Sequence, residues 1–246
     1  MSPTLIYAHR GANREAGENT RTAFTRALAY PIDGIETDVQ LSSDGVPVLW
    51  HDTFLGKLGM PARRVEDCAF GELQEMDFAL HFGRGQPPEG IMALEDFVAD
   101  FRPRCHLLLE IKGGDHEDAA QRRAKVEKTL ALAGAAADDR VLVSSFHLPS
   151  LIYAHERAPA FPLVYNGESD FKVRDAAHLL DAHPYFRGVC LHRKTLTPEM
   201  AELLRARGKL IAVYTCNSEN DIRRALDLAD ILITDVPQKA LQMRNT

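Results

Sequence analysis

Cysteine is scarce in this chain, with four residues in 246, and Cys68, Cys105, Cys190 and Cys216 form no C-x-x-C pair. Neither a zinc site nor a disulfide framework is expected, and all four read as small buried hydrophobes. Long apolar runs are missing too: no stretch approaches the ~18 residues of a membrane-spanning helix, so stable insertion in a bilayer is not expected. MSPT runs straight into LIYAH, which leaves no room for a basic leader and an apolar core of at least ~7 residues; the expected location is cytoplasmic. Positive charge is in deficit, with 29 Lys and Arg against 35 Asp and Glu and a formal charge of -6. Such a field repels polyphosphate and makes nucleic acid an unexpected partner. Low-complexity tracts, internal repeats and Pro/Ser-rich linkers are absent, so nothing divides residues 1–246 into separate domains. What is present, 45% hydrophobic and 26% charged residues, suits a folded domain with a large core and excludes disorder, coiled coil and collagen.

Short apolar runs bounded by turn residues recur along the chain: LIYAH (5–9), GIETDV (34–39), HLLLEIK (106–112), VLVSSF (141–146), PLVY (162–165), GVCL (188–191), LIAVYT (210–215) and ILIT (231–234). Between them lie amphipathic segments such as NTRTAFTRALAY, ALEDFVADF, AQRRAKVEKTLALAG, LPSLIYAHERA, TPEMAELLRARG and SENDIRRALDLA, with Thr197 and Ser218 as helix caps. Eight strand-helix units in ~250 residues, with strands too apolar to be half exposed, fit an α/β (β/α)8 barrel better than a doubly wound sheet. Asp44-Gly45 signals a turn that extends the second strand into a hairpin ending at His51 and Asp52. From about 53 to 90 the chain holds Phe54, Phe70, Phe78 and Phe82 among Gly and Pro, too long for an ordinary loop and expected to form a lid or small insertion.

In such a barrel the C-terminal strand ends converge on one mouth, where polar side chains demand explanation. The first strand ends in His9-Arg10; the second carries Glu36 and Asp38, which alternation places on one face; the third ends with Glu110 and Lys112. Three carboxylates in a largely apolar mouth repel one another unless a cation neutralises them. An all-oxygen donor set suits one hard divalent ion, Mg²⁺ or Ca²⁺, between which the residues do not choose. The competing reading, ordinary ion pairs with Lys or Arg, loses ground once His9, Arg10, His51 and Glu110 are counted with them. Imidazoles, with an ordinary pKa near 6.5, can give and take protons near neutral pH, so His9 and His51 are candidate acid and base. Arg10 and Lys112 are candidate phosphate ligands. His81, His106, His116, His155, His178 and His183 read as packed or surface residues; His147 and His192, at strand ends, are within reach of a substrate.

The stretches AHRGANREAGENTRTAF, GIETDVQLSSDGVPVLWHD, IMALEDF, LLLEIK and ILITDVP resemble, in order and spacing, the signature blocks of the glycerophosphodiester phosphodiesterases, from His9 to Pro237. The resemblance implies a (β/α)8 barrel in which His9 and His51 are acid and base, Arg10 and Lys112 hold phosphate, and Glu36, Asp38 and Glu110 ligate a divalent metal. It further implies that Glu18, Asn19 and Asp52 support the site from behind, and that Tyr214 walls the substrate pocket where the family commonly has Trp. Gly17 replaces the usual Pro before ENT. The implied reaction is hydrolysis of a small glycerophosphodiester to sn-glycerol 3-phosphate and an alcohol, with water or a glycerol hydroxyl as nucleophile, by a monomer or homodimer. Three rivals remain: lysophospholipase D-like removal of a lysophospholipid head group, with the aromatic insertion holding the acyl chain; a phosphoinositide-type phospholipase C; and a catalytically idle binding protein.

Overall fold

The structure is a computed structural model that describes residues 3–83, 85–114, 117–134 and 140–245. Eight parallel strands close on themselves: β1 (Leu5–His9), β2 (Gly34–Leu41), β6 (His106–Ile111), β7 (Val141–Ser145), β8 (Leu163–Gly167), β9 (Gly188–His192), β10 (Leu210–Tyr214) and β11 (Ile231–Thr234). Closure is completed where β1 pairs with both β11 and β2. Their residues are buried on both faces, as the uninterrupted apolar runs require. Inward-facing Tyr7, Leu108, Leu142, Val164, Cys190, Ala212, Ile231 and Ile233 fill the barrel. The outward-facing residues join a larger core with the surrounding helices. All four cysteines are buried and unpaired.

The helices form where apolar stripes and caps coincide. They are α1 (Arg21–Ala27), α3 (Leu94–Phe101), α4 (Ala119–Ala133), α5 (Leu148–Arg157), α6 (Val173–Ala182), α7 (Pro198–Ala206), α8 (Glu219–Leu228) and α9 (Pro237–Arg244). Thr20, Asp118, Thr197 and Ser218 each accept a backbone N–H three residues on, so the expected caps at Thr197 and Ser218 are present. Helices α6 and α9 have no counterpart among the segments read from periodicity; α6 buries Ala176, Leu179 and Leu180, and α9 buries Pro237, Ala240 and Leu241. Among the described residues no helix is long and apolar enough to cross a membrane.

Strand β3 (Pro47–Leu49) runs antiparallel to β2 outside the barrel, after the turn at Gly45. It delivers His51 and Asp52 to the mouth. The following segment makes a small hairpin of β4 (Phe54–Leu55) and β5 (Met60–Arg64), then the short α2 (Phe70–Gln74). This segment has its own apolar cluster around Trp50, whose ring meets Phe78 edge-on at 5.0 Å. His81 packs against the same indole at 5.8 Å, and His155 stacks on Tyr185 at 3.6 Å, both as packed residues. His116 lies outside the described residues.

The β6–α4 loop is held by a buried ion pair. The Lys125 side chain, 1% exposed, binds Glu117 and donates to the Lys112 carbonyl oxygen at 2.8 Å. Burial pulls the Lys125 ammonium below its usual pKa, so the pair survives only because each charge offsets the other. Lys125→Met is expected to cost about 3–5 kcal/mol in urea unfolding by stranding Glu117, whereas Lys125→Met with Glu117→Leu recovers most of it. Equal costs for the single and double variants would refute this account.

Candidate active site

The loop from β1 to α1 carries unusual backbone. Arg10 and Asn19 are left-handed at φ 56 and 57, beside Gly11 at φ 82. Left-handed non-glycine residues cost of order 1–3 kcal/mol and persist only when the surroundings over-determine them. Here the Arg10 amide donates to the Glu36 carbonyl oxygen at 2.9 Å, and the Asn19 amide donates to the Arg10 carbonyl oxygen at 3.1 Å. Gly11 is obligatory: a Cβ would sit 2.7 Å from the Ala23 carbonyl carbon. The loop thereby folds back on the barrel and turns Arg10 and Asn19 inward over β2.

Alternation brings Glu36 and Asp38 to the inner face of β2, and parallel register sets Asp38 opposite Glu110 on β6. One carboxylate oxygen from each of the three lies within 4.8 Å of the others. Arg10 Nε approaches Asp38 Oδ2 at 3.0 Å, and Lys112 Nζ approaches Glu110 Oε1 at 2.7 Å and Asp38 Oδ1 at 3.5 Å. Asn19 donates to Asp38 Oδ2 at 2.9 Å and accepts from Thr37 at 2.8 Å. Three carboxylates thus face two cations. Burial, then the charge of Asp38, pushes the Glu36 carboxyl well above the ordinary range. Burial also opposes ionisation of Asp38, but Arg10 and Lys112 outweigh it and hold that carboxyl well below its usual value.

Glu36 Oε2 and Asp38 Oδ1 are buried and accept no hydrogen bond. Such orphan oxygens are uncommon and expensive. Oxygens lying within 4.8 Å of one another are close enough to share one cation at about 2.4 Å. The residues therefore fit a hard divalent ion held by Glu36, Asp38 and Glu110.

Each candidate histidine is fixed through Nδ1. His9 Nδ1 lies 2.6 Å from Asp235 Oδ1, and His51 Nδ1 lies 2.6 Å from Asp52 Oδ1. An ionised carboxylate only accepts, so each ring carries a proton on Nδ1 and has Nε2 left for proton exchange. His9 Nε2 is 3.9 Å from Glu36 Oε2. Glu18 sits behind both, accepting from Arg10 at 3.2 Å and from Lys57 at 2.7 Å, while Lys57 also reaches Asp52 Oδ2 at 3.0 Å. His9, Arg10, Glu36, His51 and Glu110 line one cavity of about 160 Å³ together with Leu108, Ser144, Phe146, Asn166, Cys190, Tyr214, Thr215 and Ile233. Tyr214 is on its wall, but its hydroxyl donates to the Gly167 carbonyl oxygen at 2.9 Å, so the ring is what it presents. His147 is elsewhere: it precedes α5, its Nδ1 is 2.8 Å from Ser150 Oγ, and it lines a crevice between α4 and α5. His192 packs edge-on against Tyr214 at 5.5 Å.

Asp235 and Lys57 were not singled out by the sequence reading. Asp235 receives Asn13 Nδ2 at 2.7 Å and Asn217 Nδ2 at 2.6 Å besides His9, and those hydrogen bonds overcome burial to hold its carboxyl well below the usual range. Its signal was its place one residue past the last strand.

The profile described as the Glycerophosphoryl diester phosphodiesterase family matches residues 9–239. The chain belongs to this family. It is 30% identical over 254 residues to a glycerophosphodiester phosphodiesterase of Bacillus altitudinis, covering 98% of each. It is 27% identical to one from Bacillus subtilis, covering 91% of this chain and 80% of that one. In fold it is similar, at TM-score 0.86 and 22% identity, to an Oleispira antarctica phosphodiesterase solved with the product sn-glycerol-3-phosphate, covering 99% and 98% of the two chains. Within this family fold, the raised Glu36 carboxyl has a consequence for stability. Its favourable contribution is present at acid pH and is lost as pH rises through its raised value, because the unpaired charge is then buried. A bound cation removes that loss. Mg²⁺ or Ca²⁺ at 100 times Kd is expected to stabilise by about 2.7 kcal/mol, with a larger melting shift at pH 8 than at pH 5, and Glu36→Gln should abolish the shift without lowering the ion-free Tm. An equal ion shift in wild type and Glu36→Gln would refute the site.

Proposed function

We propose that this chain hydrolyses glycerophosphodiesters to sn-glycerol 3-phosphate and an alcohol, using His9 and His51 as the proton-transfer pair and a divalent cation held by Glu36, Asp38 and Glu110. The observation that carries the reading is the pair of carboxylate-anchored imidazoles on one cavity with Glu36 and Glu110, with Asp38 buried beside them. Family membership and the name of the Bacillus altitudinis relative support it.

Arg10 commits Nε and Nη1 to Asp38 and Glu18, leaving Nη2 for a phosphate oxygen. The Lys112 ammonium, whose proton Glu110 secures against the effect of burial, adds a second positive charge at the same rim. When bound, the cation supplies Lewis-acid polarisation of the phosphodiester. One histidine Nε2 takes the proton from the attacking oxygen as its bond to phosphorus forms. The other, entering with a proton on each ring nitrogen, gives its Nε2 proton to the leaving alkoxide as the P–O bond breaks. Asp235 and Asp52 each hold the Nδ1 proton of their ring, which leaves Nε2 to do the transfer, and Lys57 pairs with Asp52 while linking it to Glu18.

A second reading, removal of a head group from a lysophospholipid, is favoured by Phe54, Leu80 and Phe82, large apolar side chains left exposed on the insertion. Metal-stripped protein given glycerophosphocholine or lysophosphatidylcholine, with Mg²⁺ or Ca²⁺ restored, separates the two by release of glycerol 3-phosphate or lysophosphatidate.

His9→Ala and His51→Ala are each expected to lower kcat by ~10²–10⁴ with an unchanged circular-dichroism spectrum; a loss under threefold contradicts the assignment. Asp235→Asn, whose amide would favour the wrong tautomer of His9, is expected to lower kcat on the order of 10²-fold or more. Its effect on KM should be much smaller, and steady-state kinetics showing a loss confined to KM would refute the orienting role.

A further inference from the structure

Lys112 is the first residue past β6, and the barrel fixes only one side of its backbone. Its amide donates to the Val39 carbonyl oxygen at 3.1 Å, and the preceding Ile111 carbonyl oxygen accepts from Ser145 Oγ at 2.7 Å. The Lys112 carbonyl lies past the last strand pairing. Gly113 and Gly114 come next, the residue type with the widest backbone freedom. The direction of a side chain follows from the peptide planes on both sides of its Cα, so the strand alone leaves the Lys112 ammonium loosely aimed.

That second plane is held from outside the barrel. Lys125 on α4 donates Nζ to the Lys112 carbonyl oxygen at 2.8 Å while paired with Glu117, and both side chains are buried. Arg122, three residues earlier, donates to the Gly114 carbonyl oxygen at 3.2 Å. Gly113 packs so closely against His147 that a Cβ there would lie 2.7 Å from the histidine's own. Stability does not explain the two charges, because apolar residues of similar volume in place of a buried ion pair are often neutral or stabilising. What an apolar residue could not do is donate to that carbonyl. On the inner side of the same residue, Lys112 Nζ meets Glu110 Oε1 at 2.7 Å and Asp38 Oδ1 at 3.5 Å. A compact charge on a flexible stem keeps one place against a phosphate only when its backbone is fixed.

We propose that Lys125, oriented by Glu117, is a positioning residue for the reaction: it fixes the peptide that follows Lys112 and thereby the place of the Lys112 ammonium against the substrate's phosphate. This rests on the reading of Lys112 as a phosphate ligand given above. It assigns a part in the chemistry to a buried pair that lines no part of the cavity of His9 and His51. Lys125 acts through one carbonyl, so its effect depends on the presence of the Lys112 side chain.

The test uses the variant that separates stability from position. Lys125→Met with Glu117→Leu keeps most of the urea stability on the account given for the fold, yet it takes away the donor to the Lys112 carbonyl. With Mg²⁺ or Ca²⁺ present, its kcat/KM for glycerophosphocholine is expected to stay at least ~10-fold below wild type, since a misplacement of about 1 Å caused far from the chemistry can cost ~10²-fold. The inhibition constant of inorganic phosphate should rise with it, a binding readout that restored stability would leave unmoved. In a Lys112→Ala background the same two substitutions should change kcat/KM by less than about twofold, because changes that act through one shared group do not add. If the double variant does not fold, Lys125→Met alone, assayed where circular dichroism shows it folded, carries the same comparison. A stable double variant with wild-type kcat/KM and phosphate inhibition overturns the positioning role and leaves a diesterase, as does a full further loss in the Lys112→Ala background. No turnover of glycerophosphocholine by wild type overturns the diesterase reading and the positioning role with it.

Discussion

Three carboxylates pressed together on two neighbouring strands set the terms for the rest of this molecule. Parallel pairing of β2 with β6 puts Asp38 beside Glu110, and the two-residue repeat of β2 adds Glu36 to the same face. A barrel mouth offers little water to disperse such charge. The structure compensates locally with Arg10, Lys112 and the Asn19 amide, yet leaves Glu36 and Asp38 each with a buried oxygen that accepts no hydrogen bond. Compensation stops one charge short. That shortfall, more than the presence of acids, distinguishes a place for a cation from a set of finished ion pairs.

Holding the compensating groups has its own costs, and these fall in the loops. Arg10 and Asn19 adopt left-handed backbone, which the tight packing of Gly11 on α1 and two backbone hydrogen bonds enforce. Lys112 hangs from a loop whose carbonyl is gripped by Lys125, and Lys125 is buried against Glu117. Strain and buried charge therefore lie beside the carboxylates on both flanks. Such costs are what a fold tolerates at a functional site, because neither contributes stability of its own.

How far the sequence disclosed this differs from residue to residue. The strands read true because both faces are buried, and His9, Glu36, Asp38 and Glu110 stood out as polar residues in or directly after apolar runs. Asp235 also directly follows a strand, yet its role depends on His9, Asn13 and Asn217 being brought to it, two of them more than 200 positions away. Asn166 was hidden by a boundary: the apolar run stops at Tyr165, but β8 continues to Gly167, and that extension turns Asn166 inward. The reverse happened to His147. It follows an apolar run as His9 does, but the chain turns there into α5 and carries the ring out of the barrel. Periodicity reports burial, and it is silent about which face an isolated polar residue takes at a strand's last turn.

The two histidines are anchored alike, but the carboxylates that anchor them have different partners. Asp235 is shared with the amides of Asn13 and Asn217 and with Arg14, an exposed side chain whose charge water screens. Asp52 is shared with Lys57, a half-buried cation that also binds Glu18, which in turn binds Arg10. His9 therefore faces a carboxylate whose charge is largely its own to use. His51 ends a chain of alternating charges that runs back through Asp52, Lys57 and Glu18 to Arg10. Reactions in which one imidazole gains a proton while the other loses one need partners in unequal settings. Part of the difference between the two carboxylate settings comes from one lysine, Lys57, delivered by the insertion after β3.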